Sequence, residues 1–318
     1  MTFLAIICVL VLEQLKALPA ERVAAWQAHY AVFLERQFNG GEARHGAAAW
    51  GLGVALPALL ILVLHAALDA VHPVLGFLVA VAVLYLTMGL RQFSHFFTDI
   101  QMALRMGEIE RARRLLETWR GHGAARFSSA EISRLAIEQG VVAAHRHVFA
   151  PLFWFAVLGP AGAVLYRLGL CVMQRWAVTV LPESGNSFFR FAQQAFQWLD
   201  WLPARLTAAT FAIVGDFEDA VYCWRTQASQ WAQWVQGAAE QGADMASGIL
   251  LSSAAGALGV RLGLPLPGEI GFDARPELGL GDDADIEHLQ SAVGLVWRAL
   301  VLCLLLLALL TVASWVGQ

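Results

Sequence analysis

An all-α membrane protein is the fold class that this sequence predicts. It is a helical bundle of four or five transmembrane helices with amphipathic interfacial and cytoplasmic helices. Three observations predict it. Of 318 residues, 58% are hydrophobic and 14% charged, whereas a soluble domain carries about 25% charged residues. Mean hydropathy is +0.58. The apolar excess is also clustered: Ala47–Leu64, Val71–Leu90, Val148–Tyr166 and Ala299–Val316 contain no Asp, Glu, Lys or Arg over 18 to 20 residues each. A helix needs roughly 20 such residues to cross the hydrocarbon layer. A simple soluble enzyme is excluded.

The elements follow in order. Thr2–Leu12 is apolar, with no preceding positive charge and no small-x-small site after it. It reads as a membrane-entering helix that continues past Glu13, not as a signal peptide. Glu13–Gly46 is polar and helical, carries Lys16, Arg22, Arg36 and Arg44, and breaks at Asn39-Gly40-Gly41. The next two runs are joined by a tight turn around Asp69–Pro73, which makes them an antiparallel hairpin and closes a first segment, 1–90.

The segment 91–147 holds nine arginines and six acids. The positive-inside rule places it, with Glu13–Gly46, in the cytoplasm of a bacterial inner-membrane, multi-pass protein. Phe93, Phe96, Phe97, Ile100 and Leu104 recur at helical spacing there, as do Ile109, Leu115, Leu116 and Trp119. Gly121-His122-Gly123 ends a helix, and Ser128 and Glu131 stand in capping-box spacing at the start of the next.

In the segment 148–215, Gly159-Pro160 kinks or breaks a span. Phe188–Leu202 is aromatic-rich and interfacial. Leu206–Gly215 is a half helix or part of a fifth span with Asp200 and Arg205 snorkelling. The segment 216–292 reads as a Gly-rich acidic loop, with twelve acids against three arginines in Asp216–Gln290. Long loops translocate whatever their charge, so its side stays open. The segment 293–318 is the closing span.

Composition narrows the chemistry. Lys16 is the only lysine and is followed by Ala17, so there is no phosphate-binding Gly-Lys-Ser/Thr loop. Cys8, Cys171, Cys223 and Cys303 are far apart and read as small hydrophobes, and no metal-ligand motif occurs. A net charge of −4 gives nucleic acid no footprint. The twelve tryptophans suit a membrane belt.

Several polar residues stand out. His95 and Asp99 are i, i+4 neighbours beside Arg91: a small polar site or an ordinary helix-surface pair. Glu131 and Glu138 share one helix face, which favours a solvated face over a metal site. His145 and His147 cannot face one site on a helix and read as interfacial anchors. Arg261 lies in a Gly-rich stretch that would let backbone approach a ligand, although Gly259-x-x-x-Gly263 equally suits close helix packing. Arg205 is an anion ligand or an anchor beside Trp198 and Trp201.

Three stretches resemble the CobD/CbiB family of cobalamin-biosynthesis membrane proteins. Asp200-Trp201-Leu202-Pro203-Ala204-Arg205-Leu206-Thr207 matches the family's Asn-Trp-Leu-Pro-Ala-Arg-Leu-Thr at seven of eight positions. Ala254–Gly263 is similar to its Ala-Met-Ala-Gly-Ala-Leu-Gly-Val-Arg-Leu-Gly stretch. Ala150-Pro151-Leu152-Phe153-Trp154, with Gly159-Pro160 and Leu165-Tyr166-Arg167, is the third. Weaker echoes are Gly107-Glu108-Ile109-Glu110 before Arg113-Arg114, and Ala284-Asp285-Ile286.

The departures are as telling. The family's Glu-Asn-x-x-Asp before Ala-Pro-Leu-Phe-Trp is replaced at Val142, Ala143 and Arg146. Its Asn-Thr-Leu-Asp-Ser-Met aligns with Leu170–Arg175, without the Asn or Asp. Its Asp-Pro and His-Pro-Val region reads Glu13–Pro19. Its Ile-Val-Gly-Arg-Asp survives only as Glu117-Thr118-Trp119-Arg120-Gly121.

The resemblance implies an ATP- and magnesium-dependent synthase that joins adenosylcobyric acid to an aminopropanol or its phosphate. Magnesium and ATP enter only with that reaction, and the replaced acids are natural candidates for holding them. Their loss is similar to the AmpE-like branch, linked to regulation of beta-lactamase induction. The resemblance therefore implies a divergent ligand-binding or regulatory member. The alternatives are a working cobinamide-phosphate synthase and a structural interaction protein. The candidate ligand-binding residues are Arg205, Arg261, Arg91, His95, Asp99 and Arg113, toward a corrinoid or nucleotide-type anion. No resident metal is expected. The lipid bilayer is the expected partner, and small-residue spacings also suit a homo-oligomer.

Overall fold

The computed structural model describes residues 2–16, 20–121, 127–179, 187–237, 245–266 and 275–316. Its helices are α1 (Thr2–Leu15), α2 (Ala20–Phe38), α3 (Ala43–Trp50), α4 (Leu56–Val71), α5 (Pro73–Thr87), α6 (Leu90–Arg105), α7 (Ile109–Arg120), α8 (Ser129–Ala144), α9 (Ala150–Leu158), α10 (Pro160–Thr179), α11 (Phe188–Val214), α12 (Phe217–Gly237), α13 (Met245–Leu258) and α14 (Ile286–Val316). One π-helical turn, Gly51–Ala55, joins α3 to α4, and another, His145–Phe149, joins α8 to α9. The strands are β1 (Val260–Arg261) and β2 (Asp282–Asp283), paired in parallel. The chain forms two compact units, Met1–Arg91 with Arg146–Pro203, and Gln92–His145 with Ala204–Gln318.

In the first unit α10 packs against α2, α4, α5 and α9, and α5 also packs on α1 and α4. Trp176 is fully buried against Phe188, ring centroids 4.4 Å apart, and its Nε1 donates to the Ala31 carbonyl at 3.0 Å. Tyr166, Leu170, Phe196 and Leu199 form a second apolar cluster.

Three prolines inside helical segments set the polar demands of this unit. A proline has no N–H, so the carbonyl four residues before it loses its helical partner. Pro57 frees the Gly53 carbonyl, and the Tyr30 hydroxyl donates to it at 2.7 Å. Pro151 frees the His147 carbonyl, and the Gly89 N–H reaches it at 3.2 Å. Pro203 frees the Leu199 carbonyl, and Trp154 Nε1 donates to it at 3.1 Å. Each freed carbonyl is met by a neutral donor from another element, as burial away from water requires.

The hairpin turn narrows to His72, whose Nδ1 accepts from the Val74 N–H while Pro73 opens α5. Gly159 ends α9 at φ 63, ψ −151. That conformation is essentially open to glycine alone, so the break at Gly159-Pro160 is complete.

In the second unit α8 is the central helix, buried from Ile132 to Glu138 and packed on by α7, α13 and α14. Its start is the expected capping box: Glu131 N–H donates to Ser128 Oγ at 3.3 Å, and Ser128 N–H to Glu131 Oε2 at 2.7 Å. The segment expected as a Gly-rich loop is instead largely helical, as α12 and α13. Glycine is the contact material between those two helices. A Cβ on Gly256 would stand 2.5 Å from the Asp219 carbonyl oxygen, and one on Gly248 2.6 Å from the Trp231 ring. Gly259 ends α13 at φ 66, and Gly263 turns the chain at φ 77. The Gly259-x-x-x-Gly263 spacing therefore belongs to a helix end and a turn, not to helix packing.

Among the described residues, three helical stretches are long and apolar enough to cross a membrane: Ala43–Val71, Ser129–Leu158 and Ile286–Ser314. The middle one takes the place of the expected Val148–Tyr166, which the Gly159 break divides. In the first and last stretches about a fifth of the most apolar window is buried, against 56% in the middle one. Exposed Leu59, Leu60 and Val63, and Leu305, Leu309 and Leu310, give the outer two apolar surfaces suited to lipid. Thr2–Leu15, Pro73–Thr87 and Met245–Leu258 are shorter apolar helices.

Candidate functional site: two buried polar clusters

Residues of α10 and α11, with the π-turn before α9, build the cluster of the first unit. Arg167 is 7% exposed, and its Nη1 lies 2.7 Å from His147 Nδ1. A guanidinium can only donate, so this nitrogen of His147 accepts, which places the ring's proton on Nε2. Beside it on α10, the Tyr166 hydroxyl donates to Asp200 Oδ1 at 2.9 Å, and both residues are buried. Asp200 holds the place of the family-like motif's Asn.

The cluster of the second unit centres on Glu138. One of its oxygens accepts from Arg275 Nη2 at 2.6 Å, and the other from the Gly263 N–H at 2.9 Å. Glu138 is 7% exposed and Arg275 is 5%. The Arg275 guanidinium also lies over Trp231 and Trp234, 5.3 and 5.9 Å from their ring centroids. Glu138 is therefore not part of a solvated face. His145 is fully buried too, its Nδ1 3.0 Å from Thr207 Oγ1. Both histidines expected as interfacial anchors are built into packed helices.

The six expected ligand-binding residues scatter. Arg261 forms ion pairs with Asp283 at 2.8 Å and Glu277 at 3.7 Å, across the β1–β2 register. Arg113 donates from Nε to the Phe127 carbonyl at 2.8 Å and pairs with Glu110, tying the start of α8 to α7. His95 and Asp99 are exposed on α6, and His95 stacks on Phe96, which stacks on Trp119. Arg205 is half-buried on α11. The side chain of Arg91 lies outside the described residues, as do His122 and Gly123. The sequence reading missed Arg134 and Arg275 as cations, and gave Tyr166 and Arg167 only as family-like letters. The partners of Arg167, Tyr166 and Arg275 lie 20 to 137 residues away, beyond any local periodicity.

All four cysteines are free. Burial, then the neighbouring Asp219, pushes the Cys223 thiol up to about 11, so it stays protonated and unreactive at neutral pH.

Residues 6–296 match the family model described as CobD/Cbib protein. The chain belongs to the CobD/CbiB family. It is 34% identical over 281 residues to the cobalamin biosynthesis protein CobD of Stutzerimonas stutzeri, covering 86% of each chain. It is 34% identical over 231 residues to the protein of that name from Chromobacterium violaceum, covering 72% of this chain and 69% of the relative. With the one from Photorhabdus laumondii it shares 27% over 206 residues, 62% of this chain and 60% of the relative. These relatives lend the AmpE-like branch no support. No solved structure matches.

The magnesium and ATP that family resemblance implies can be tested against the side chains. Magnesium takes one or two carboxylates besides substrate phosphates. At the positions where the resemblance implies Glu-Asn-x-x-Asp stand half-buried Val142, buried Ala143 and half-buried Arg146, none of them a metal donor. The buried acids nearest in sequence are already bonded, Glu138 to Arg275 and Asp200 to Tyr166. Among the described residues no three His, Cys, Asp or Glu side chains gather where they could hold a metal ion. These residues do not fit a Mg–ATP site of that kind.

Proposed function

We propose that the protein acts in cobalamin biosynthesis as a corrinoid-binding protein of the bacterial inner membrane. The names of its relatives and their coverage support the pathway. Two finer readings follow from different observations. The relatives' name favours the complete amide-forming reaction between adenosylcobyric acid and an aminopropanol. The side chains favour binding without that reaction, and one observation carries this: Val142, Ala143 and Arg146 stand where the family resemblance implies acid and amide groups. Binding without the full reaction is the reading adopted.

The test is complementation of a cobalamin auxotroph that lacks its own synthase. The expected result is no growth without added cobinamide, together with corrin absorbance retained by the purified protein. Growth would establish the synthase reading instead. No growth and no retained corrinoid would remove both. Arg205→Ala is expected to lower corrinoid retention several-fold while the protein still folds.

A further inference from the structure

The corner where α6 turns into α7 carries an exposed apolar patch. Gly107 makes the turn at φ 76, and Met102, Met106 and Ile109 around it are 50%, 61% and 38% exposed. The core of the unit is already served by the opposite faces, through Ile100, Ala103 and Leu104 on α6 and Ala112 and Leu116 on α7. Neither helix belongs to the apolar stretches of membrane-spanning length. Methionine is adaptable and over-used on surfaces that bind proteins.

The charges bordering the patch indicate what covers it. Arg105, between Met102 and Met106, donates from Nη2 to Gln290 Oε1 at 2.7 Å, which joins the corner to the first turns of α14. Glu287 lies one turn before Gln290, on the same side of α14, and is exposed. Arg114 is exposed on α7, on the side away from buried Ala112 and Leu116. Neither the Arg114 guanidinium nor the Glu287 carboxylate has a partner among the described residues. The neighbouring charges are engaged: Arg111 pairs with Glu108 at 3.0 Å, Arg113 pairs with Glu110, and Asp285 caps α14.

One surface thus combines an apolar centre with an unpaired cation and an unpaired acid. An anionic membrane surface suits it poorly, because Glu108, Glu110 and Glu287 are exposed there too. A second copy of the chain suits it well. A two-fold interface uses the same patch on both partners, so the patch must carry its own complement. Methionine and arginine are also the residue types enriched at interface centres.

We propose that this face of the second unit, with Met102, Met106 and Ile109 at its centre, binds a second copy of the chain, Arg114 of each copy meeting Glu287 of the other. The proposal does not depend on the corrinoid reading.

The test measures the mass of the full-length protein in detergent by light scattering. The wild type should be a dimer that weakens with added salt. Arg114→Glu alone and Glu287→Lys alone should each weaken it by about tenfold or more. Both residues are exposed, so the thermal midpoint of the separated chains should not move. Mixing the two single variants pairs opposite charges at both contacts and should restore a dimer. Both changes in one chain should do the same. If Glu287→Lys disturbs the start of α14, Arg114→Glu alone decides. A monomeric wild type overturns the proposal, as do single variants that dimerise like the wild type, or no recovery on mixing. A nitroxide on Ile109→Cys in a Cys8→Ala background, reconstituted in phosphatidylglycerol vesicles, tests the membrane instead. Lipid contact at that position also overturns the proposal.

Discussion

The two units solve the same problem with different chemistry. Each is an apolar helical assembly that buries polar groups it cannot leave unbonded. In the first unit neutral donors meet the carbonyls that proline frees. A tyrosine hydroxyl, a backbone N–H and an indole N–H each meet a carbonyl freed by proline, and an imidazole nitrogen accepts from Arg167. In the second unit the joints are ionic, with Glu138 on Arg275 and Arg261 on Asp283. Neutral bonds each contribute about 1 kcal/mol and fail singly, whereas one partner lost from a buried ion pair leaves the other charge exposed to the full desolvation cost.

Breaking the ionic side should therefore have the largest effect. Glu138→Ala leaves Arg134 and Arg275 buried without their carboxylate and is expected to destabilise by about 3–5 kcal/mol, read by denaturant unfolding in detergent. A cost under about 1 kcal/mol would mean that the pair carries no structural load. The neutral side is sharpened by a double-mutant cycle. Trp154→Phe strands the Leu199 carbonyl and should cost about 1–2 kcal/mol. In a Pro203→Ala background the restored N–H can bond that carbonyl, so most of the cost should vanish. Equal costs in both backgrounds would show that the indole bond is not a repair of the proline's defect.

The smallest effect is at the cap of α14. Asp285 Oδ1 accepts from the Glu287 and His288 N–H groups, both at 2.9 Å. The bond from His288 N–H is the chief cause holding this carboxyl below its ordinary range. A depressed carboxylate stabilises above the unfolded value, about 3.9, and its contribution is lost as pH falls through the lower folded value. Asp285→Ala should cost about 1 kcal/mol at pH 7, and the difference from the wild type should shrink below about pH 4 in thermal unfolding. A difference independent of pH would argue against the capping role.

What the sequence disclosed follows from interaction range. The apolar runs, the capping box at Ser128, the turn near Pro73 and the break at Gly159-Pro160 all rest on residues within one or two turns of each other, and all are present. The region 216–292 misled because glycine has two uses. In composition it signals loops, but Gly248 and Gly256 lie within α13, where another helix needs the space a side chain would fill. The buried clusters were invisible for a different reason. Nothing within reach of Glu138 along the chain points to Arg275, 137 residues on. Arg261, legible by its motif, proved to have acidic partners from the loop that follows.

The π-turn at Gly51–Ala55 has a further consequence. Such a turn is an α-helix with one residue inserted locally. Everywhere else along Ala43–Val71, losing one residue would rotate the remainder by about 100° and turn exposed Leu59, Leu60 and Val63 inward. Within 51–55 the same loss would restore a regular helix and leave both flanks facing as they do. This is the place in the span where chain length can change between relatives without altering the lipid-facing stripe. An alignment gap there is a change of helix type, not of span.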